Sequence, residues 1–248
     1  MTLPALVLVH GGGHAADCWE PTVEEIHRQA PELKVLAVDL PGRRGKPGDL
    51  HTMTIADFVA SVVDDIKQAR LDEIVLVGHS MAGLTVPGVL TKLGSSRVCE
   101  MVLATAFVPP EGTALVDTLT GPFARLARRG AKKGALGGTP AAMARFGFFN
   151  GMSPAQRQFM AGKLYADSTN VLVENVSREG MPNDVPRSWI LTLRDRALSP
   201  SSQRRSIEAI GGVQNIIQID TCHTLMVSEP NRLAEILVER CRAYGKGE

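Results

Sequence analysis

The run Glu73-Ile-Val-Leu-Val-Gly78-His79-Ser80-Met81-Ala82-Gly83 decides how the rest of the chain is read. Its apolar, β-branched start predicts a buried strand over Glu73–Val77, and helical periodicity resumes over Met81–Leu93. A strand that turns sharply into a helix exposes the side chain at the turn, here the Ser80 hydroxyl. Small residues are needed two before and two after that serine, because the turn brings backbones together. Gly78 meets the first requirement and Ala82 the second, so a G-x-S-x-G pattern is relaxed to G-x-S-x-A. The Met81 N–H stands at a helix start, where it can donate to a developing oxyanion. Taken alone, the stretch also reads as an ordinary strand-to-helix loop with a serine cap. Pro87 predicts a kink or break in the helix that follows.

Outward from this run, short apolar segments alternate with helical patterns, the signature of an α/β fold with a mainly parallel sheet and helices on both faces. The other strands are expected at Ala5–Val9, Lys34–Val38, Glu100–Ala104, Trp189–Leu193 and Asn215–Ile219, about six in all. Further helices are expected over Ile55–Arg70 and Arg232–Tyr244. Residues 109–186 break the alternation, with no good strand but short helical stretches at Phe123–Arg129, Ala141–Phe146, Ser153–Tyr165 and Asn170–Arg178. The expected division is a core of 1–108 and 187–248, with 109–186 inserted as a helical cap. Most of the cap's Phe and Met residues form its own small core. A few are expected to line an apolar pocket.

The chain has 248 residues, 27 Lys plus Arg against 26 Asp plus Glu, and 44% hydrophobic residues. A chain this long buries a full core without staples. Near-balanced charge argues against nucleic acid or a membrane surface as partner, and no apolar run is long enough to span a bilayer. Cys18, Cys99, Cys222 and Cys241 lack C-x-x-C spacing, so reduced thiols in a cytoplasmic protein are expected, with no metal site. Cys18 and Cys222 are assigned packing roles. The implied partner is a small-molecule substrate, and a homodimer is a common default.

A serine hydroxyl needs a base, and the base needs an orienting acid. Asp195 follows the strand Trp189–Leu193 and His223 follows Asn215–Ile219, so Ser80, Asp195 and His223 each sit in a loop after a sheet strand. Loops on one edge of a parallel sheet can converge. Asp220 is the backup acid, and Asp39 is read as fixing the turn Leu40-Pro41-Gly42. His10 lies in a glycine turn, His79 is sterically committed beside the serine, and His27 and His51 look exposed. After the first strand, His10-Gly11-Gly12-Gly13-His14 can present backbone N–H groups. Gly12 is the expected second oxyanion donor, with Gly13 next. The loop lacks the Lys-Ser/Thr of a phosphate loop and matches G-x-G-x-x-G poorly. The pocket is expected to draw on Gly13, His79, Phe107, Phe123, Phe146, Phe149 and Leu225.

Together these residues resemble the α/β-hydrolase superfamily, over roughly Leu3–Pro109 and Ser188–Tyr244. The likeness is to the esterase branch that holds plant-type methylesterases and hydroxynitrile lyases. It is carried by Val9-His10-Gly11-Gly12-Gly13-His14 with Trp19, by Val38-Asp39-Leu40-Pro41-Gly42, and by His223-Thr-Leu-Met-Val-Ser228-Glu-Pro230. Lyases of that branch carry threonine and lysine where this chain has Gly11 and Thr224, which favours hydrolysis. Ser80 excludes the aspartate nucleophile of dehalogenase relatives. The resemblance implies acyl transfer with no metal or organic cofactor: Ser80 attacks, His223 moves the proton, and Asp195 holds the imidazole. Two rivals remain open from the sequence. One is C–C bond hydrolysis or lysis on the same fold, and the other is a non-catalytic ligand-binding protein.

Overall fold

The computed structural model describes residues 2–119, 125, 128–130 and 140–247. Six parallel strands form one sheet: β1 Ala5–Val9, β2 Val35–Val38, β3 Ile74–His79, β4 Val98–Ala104, β5 Arg187–Thr192 and β6 Asn215–Ile219, in spatial order β2-β1-β3-β4-β5-β6. The helices are α1 Glu20–Gln29, α2 Ile55–Gln68, α3 Val86–Leu93, α4 Leu115–Thr118, α5 Ala141–Gly147, α6 Pro154–Ala161, α7 Asn170–Val173, α8 Pro200–Ala209, α9 Leu225–Ser228 and α10 Pro230–Arg242.

The central strands β1 and β3 read as continuously apolar because both of their faces are covered, whereas the edge strand β6 is mostly exposed. In β1, Ala5, Val7 and Val9 enter one core with Phe58, Val62 and Ile66 of α2 and Val89 and Leu90 of α3. Leu6 and Leu8 point the other way, into a second core with Ile26 of α1 and Leu233 and Leu237 of α10. The same alternation splits Ile74 and Leu76 from Val75 and Val77 in β3. At about 25 cal/mol per Å² of apolar surface removed from water, these two layers are the main source of stability. Thr54 caps α2 reciprocally with Asp57: the Asp57 N–H donates to the threonine hydroxyl oxygen, and the Thr54 N–H to the carboxylate.

The chain leaves β1 to form β2 on one side and returns to form β3 on the other. The carboxyl ends of β1 and β3 therefore diverge into a crevice, the usual ligand position in such sheets. The strand β3 runs on through Gly78 and His79, two residues beyond the expected end. Ser80–Leu84 then forms a 3-10 turn, and α3 begins at Val86 with Pro87 in its first turn, so the predicted interruption falls before the proline. Between β4 and β5 the described residues form helices and one antiparallel bridge, Ala114 with Asn175. The stretches expected over Ser153–Tyr165 and Asn170–Arg178 are shorter, ending at Ala161 and Val173. The second is cut off because Val176 exchanges backbone bonds with Gly112 and Thr113 instead. Most of Phe123–Arg129, including Phe123, lies outside the described residues. No described helix is long and apolar enough to cross a membrane.

Candidate active site

Ser80 follows β3 directly with φ of 54°, a left-handed conformation that costs an L-residue about 1–2 kcal/mol. The neighbours leave little alternative. A β-carbon on Gly11 would stand 2.7 Å from the Ser80 Cβ and 3.2 Å from the His79 carbonyl oxygen, so the β1 loop is pressed against the turn. Behind the turn, Gly83 lies against the Phe107 carbonyl, and the Phe107 N–H donates to the Ser80 carbonyl at 2.9 Å. Gly83, not Ala82, is the glycine the close packing demands, while Gly78 meets Val86.

The Ser80 Oγ lies 2.8 Å from His223 Nε2, and His223 Nδ1 lies 2.6 Å from Asp195 Oδ2. With Nδ1–H donating to the carboxylate, Nε2 is left to accept from the serine hydroxyl. The Asp195 carboxylate is itself fixed by four further donors. The Thr105 and Thr192 hydroxyls donate to Oδ2 at 2.6 and 3.1 Å, and the Ala197 and Leu198 N–H groups to Oδ1 at 2.8 and 2.7 Å. Burial opposes its charge, but His223, the Leu198 N–H and the Thr105 hydroxyl outweigh burial and hold its pKa below the ordinary 3.8. Asp220 is exposed and pairs with Arg194, away from His223.

Three buried histidines surround this chain without joining it. The Nδ1–H of His10 donates to the Gly11 carbonyl at 2.8 Å, and its Nε2 accepts from the Leu40 N–H at 3.2 Å, tying the glycine loop to the β2 exit. His79 Nε2–H donates to the His223 carbonyl at 3.0 Å. Burial lowers the pKa of His10 from 6.5 to about 3 and that of His14 to about 4, and pushes His79 well below 6.5. The sign of the linkage follows from these directions. Between the folded and unfolded pKa values only the unfolded chain binds the proton, so stability falls as pH drops below 6.5. We expect His10 and His14 each to remove roughly 2 kcal/mol at pH 5 relative to pH 8, and His79 to act in the same direction. Thermal melts of wild type and His10→Gln across that range check this, and a flat wild-type profile would refute it.

A model of the alpha/beta hydrolase family matches residues 6–236. The chain belongs to that family. Among curated relatives, a carbendazim hydrolyzing esterase of Nocardioides sp. (strain SG-4G) is 27% identical over 113 residues. That alignment covers 46% of either protein, so the chain spans about half of that relative's length. The pheophorbidase of Raphanus sativus is 26% identical over 245 residues, covering 94% of this chain and 92% of that one. A solved extracellular alpha/beta-hydrolase from a Paenibacillus species, 24% identical, superposes with a TM-score of 0.83 over 96% of this chain and 99% of that one, a likeness of fold.

Within this hydrolase, several expected pocket residues lie elsewhere. Phe146 is 64% exposed, on the outer face of α5 with the Arg196 guanidinium 4.9 Å above its ring. Its neighbour Phe148, not singled out from sequence, brings its ring centroid 5.2 Å from that of His223, and its carbonyl accepts the Thr224 N–H. Phe107 is 6.2 Å from His223, and Phe149 is buried with Met152 and Met160. His79 and Leu225 are fully buried. Gly13 has lost its N–H to the Asp167 carboxylate at 2.8 Å, whereas the Gly12 N–H has no acceptor among the described residues. Asp39 reaches back to the Ala16 N–H at 2.7 Å and does not cap its own turn. Burial raises the thiol pKa of Cys18 and Cys222, which suits packing and not nucleophilic roles. Thr105 and Asp167 carried no local signal, since each acts on a partner far away in sequence, whereas Thr192 stands three residues before Asp195.

Proposed function

We propose that this hydrolase cleaves a small, largely apolar carboxylic ester through an acyl-enzyme on Ser80. What carries the reading is the unbroken hydrogen-bond chain from Ser80 through His223 to Asp195. His223 Nε2 takes the Ser80 proton as Oγ bonds to the substrate carbonyl carbon. The carbonyl electrons move to oxygen, where the Met81 and Gly12 N–H groups donate to the oxyanion. Collapse expels the alcohol, which takes the proton from His223. Water then repeats the sequence with His223 as base, releasing the acid and regenerating Ser80. Asp195 stabilises the imidazolium at both stages. Apart from substrate and water, the route uses the chain's own groups.

The apolar preference rests on Phe107, Phe148 and Met81, which border the serine and histidine. Residues 109–186 act as the cap that shapes this pocket. Asn150 donates to the Arg194 carbonyl, and Phe148 accepts from Thr224, so the segment is fastened beside both the acid and base loops. Gly11 and Thr224 favour hydrolysis over lyase chemistry, and product analysis separates the two because a lyase adds no water. Four unpaired cysteines suit a reducing, cytoplasmic setting.

A fluorophosphonate probe should add once to the wild-type protein and not to Ser80→Ala, read by intact mass. A p-nitrophenyl ester series should then show a preferred acyl length. No adduct on folded wild-type protein would favour a ligand-binding role instead.

A further inference from the structure

The loop that carries the proposed oxyanion donor is held from outside by a second set of residues. Asp167, from the segment between β4 and β5, accepts the Gly13 N–H on Oδ2 at 2.8 Å, and the Tyr165 N–H donates to the Gly13 carbonyl at 2.8 Å. Both polar atoms of Gly13 are thus bound by a stretch two residues apart. The same Oδ2 lies 2.7 Å from Arg43 Nη2, whose side chain is wholly buried. Arg43 Nε–H donates in turn to the His14 carbonyl at 2.7 Å. The Arg43 Nη groups have no aligned hydrogen-bond acceptor among the described residues, so that charge is committed to Asp167. Gly13 itself sits at φ of 69°, a conformation that sets the direction of the peptide before it.

We infer that Asp167 and Arg43 are positioning residues that aim the Gly12 N–H at the oxyanion. The inference rests on the ester-hydrolase reading. Fixing the N–H and C=O of residue 13 leaves the preceding peptides little freedom, and the Gly12 N–H has no acceptor among the described residues. A β-carbon on Gly12 would stand 3.0 Å from Met81 Sδ and 3.5 Å from Asp167 Oδ2, so the carboxylate lies close to the donor. An unpaired carboxylate there would repel a developing oxyanion, and Arg43 cancels that field. Arg43 therefore has two tasks: it holds the loop through His14, and it neutralises the group that holds Gly13. Because Asp167 belongs to the inserted segment, correct seating of that segment and assembly of the oxyanion site are one event.

The test is kinetic and structural together. In Asp167→Asn we expect kcat for a p-nitrophenyl ester to fall roughly ten- to a hundredfold with KM little changed. Affinity for a trifluoromethyl ketone, whose adduct carries the same oxyanion, should fall in parallel, and peptides spanning residues 10–15 should exchange amide hydrogen faster. Arg43→Met should be slower still. The double variant Arg43→Met/Asp167→Leu removes both buried charges and should melt near wild type while remaining slow. A merely structural pair predicts the reverse: the double variant regains turnover along with its melting temperature. That result, or kcat within twofold of wild type in Asp167→Asn, overturns the inference. Wild-type protein without Ser80-dependent turnover instead overturns the ester-hydrolase reading, and the exchange measurement still reports the clamp by itself.

Discussion

Ser80→Ala is expected to lower ester turnover by roughly 10⁴-fold or more while leaving the melting temperature within a few degrees of wild type. In the proposed mechanism the hydroxyl supplies the bond-forming oxygen. Cys18 and Cys222 are buried thiols with raised pKa. Alanine keeps the β-carbon, so the strain at φ of 54° is unchanged and the packing against Gly11 survives. The change removes one hydrogen bond, to His223 Nε2, worth about 1 kcal/mol. Residual turnover should come from the oxyanion donors and binding alone. His223→Ala should resemble it, because members of such a unit are not additive. Retention of more than a few per cent of wild-type activity in pure, folded Ser80→Ala would end the assignment.

The largest loss of stability is expected from Gly83→Ala. The new methyl would overlap the Phe107 carbonyl oxygen and stand 3.0 Å from its carbon, and a backbone carbonyl cannot swing aside as a flexible side chain can. Relief requires moving the 3-10 turn Ser80–Leu84 or the exit of β4. The first shifts Ser80, and the second breaks the Phe107 N–H bond to the Ser80 carbonyl. Overpacking of this kind costs typically 1–3 kcal/mol, and the fixed backbone on both sides puts Gly83 at the top of that range. A drop of several degrees in melting temperature, with turnover reduced in the protein that still folds, is the expected outcome. Ala82→Gly should be milder. Equal melting temperatures for wild type and Gly83→Ala would show that the β4 exit yields freely.

The centre of the sheet was legible because β1 and β3 are buried on both faces and so advertise themselves without any partner being known. The order of Ser80, Asp195 and His223 was legible for a related reason: each follows a strand, and parallel strands deliver their following loops to one edge. Helices α1 and α8 were not singled out. In α8 the buried face includes Gln203 and Ser206, and Gln203 bonds Thr192 and Leu198, so the inward stripe is polar and leaves no apolar period to read. The choice of Phe146 over Phe148 failed on a rotation of two residues, which composition cannot resolve in so short a helix. Arg43 and Asp167 were invisible as a pair because 43 and 167 meet only once the chain is folded. A buried arginine reads in sequence as one more solvated charge.

The serine half of the site hangs from β1 and β3, and the acid and base half from β5 and β6. The exit of β4 touches both: Thr105 donates to Asp195, and two residues on, Phe107 donates to the carbonyl of Ser80. Thr105 sits at φ of 39°, so even its backbone is bent to make the reach. This short span works as a gauge block between two half-jaws. The loops around it can change length without altering the spacing between Ser80 and Asp195. One residue added or removed between 105 and 107 would change that spacing by about the length of a peptide unit.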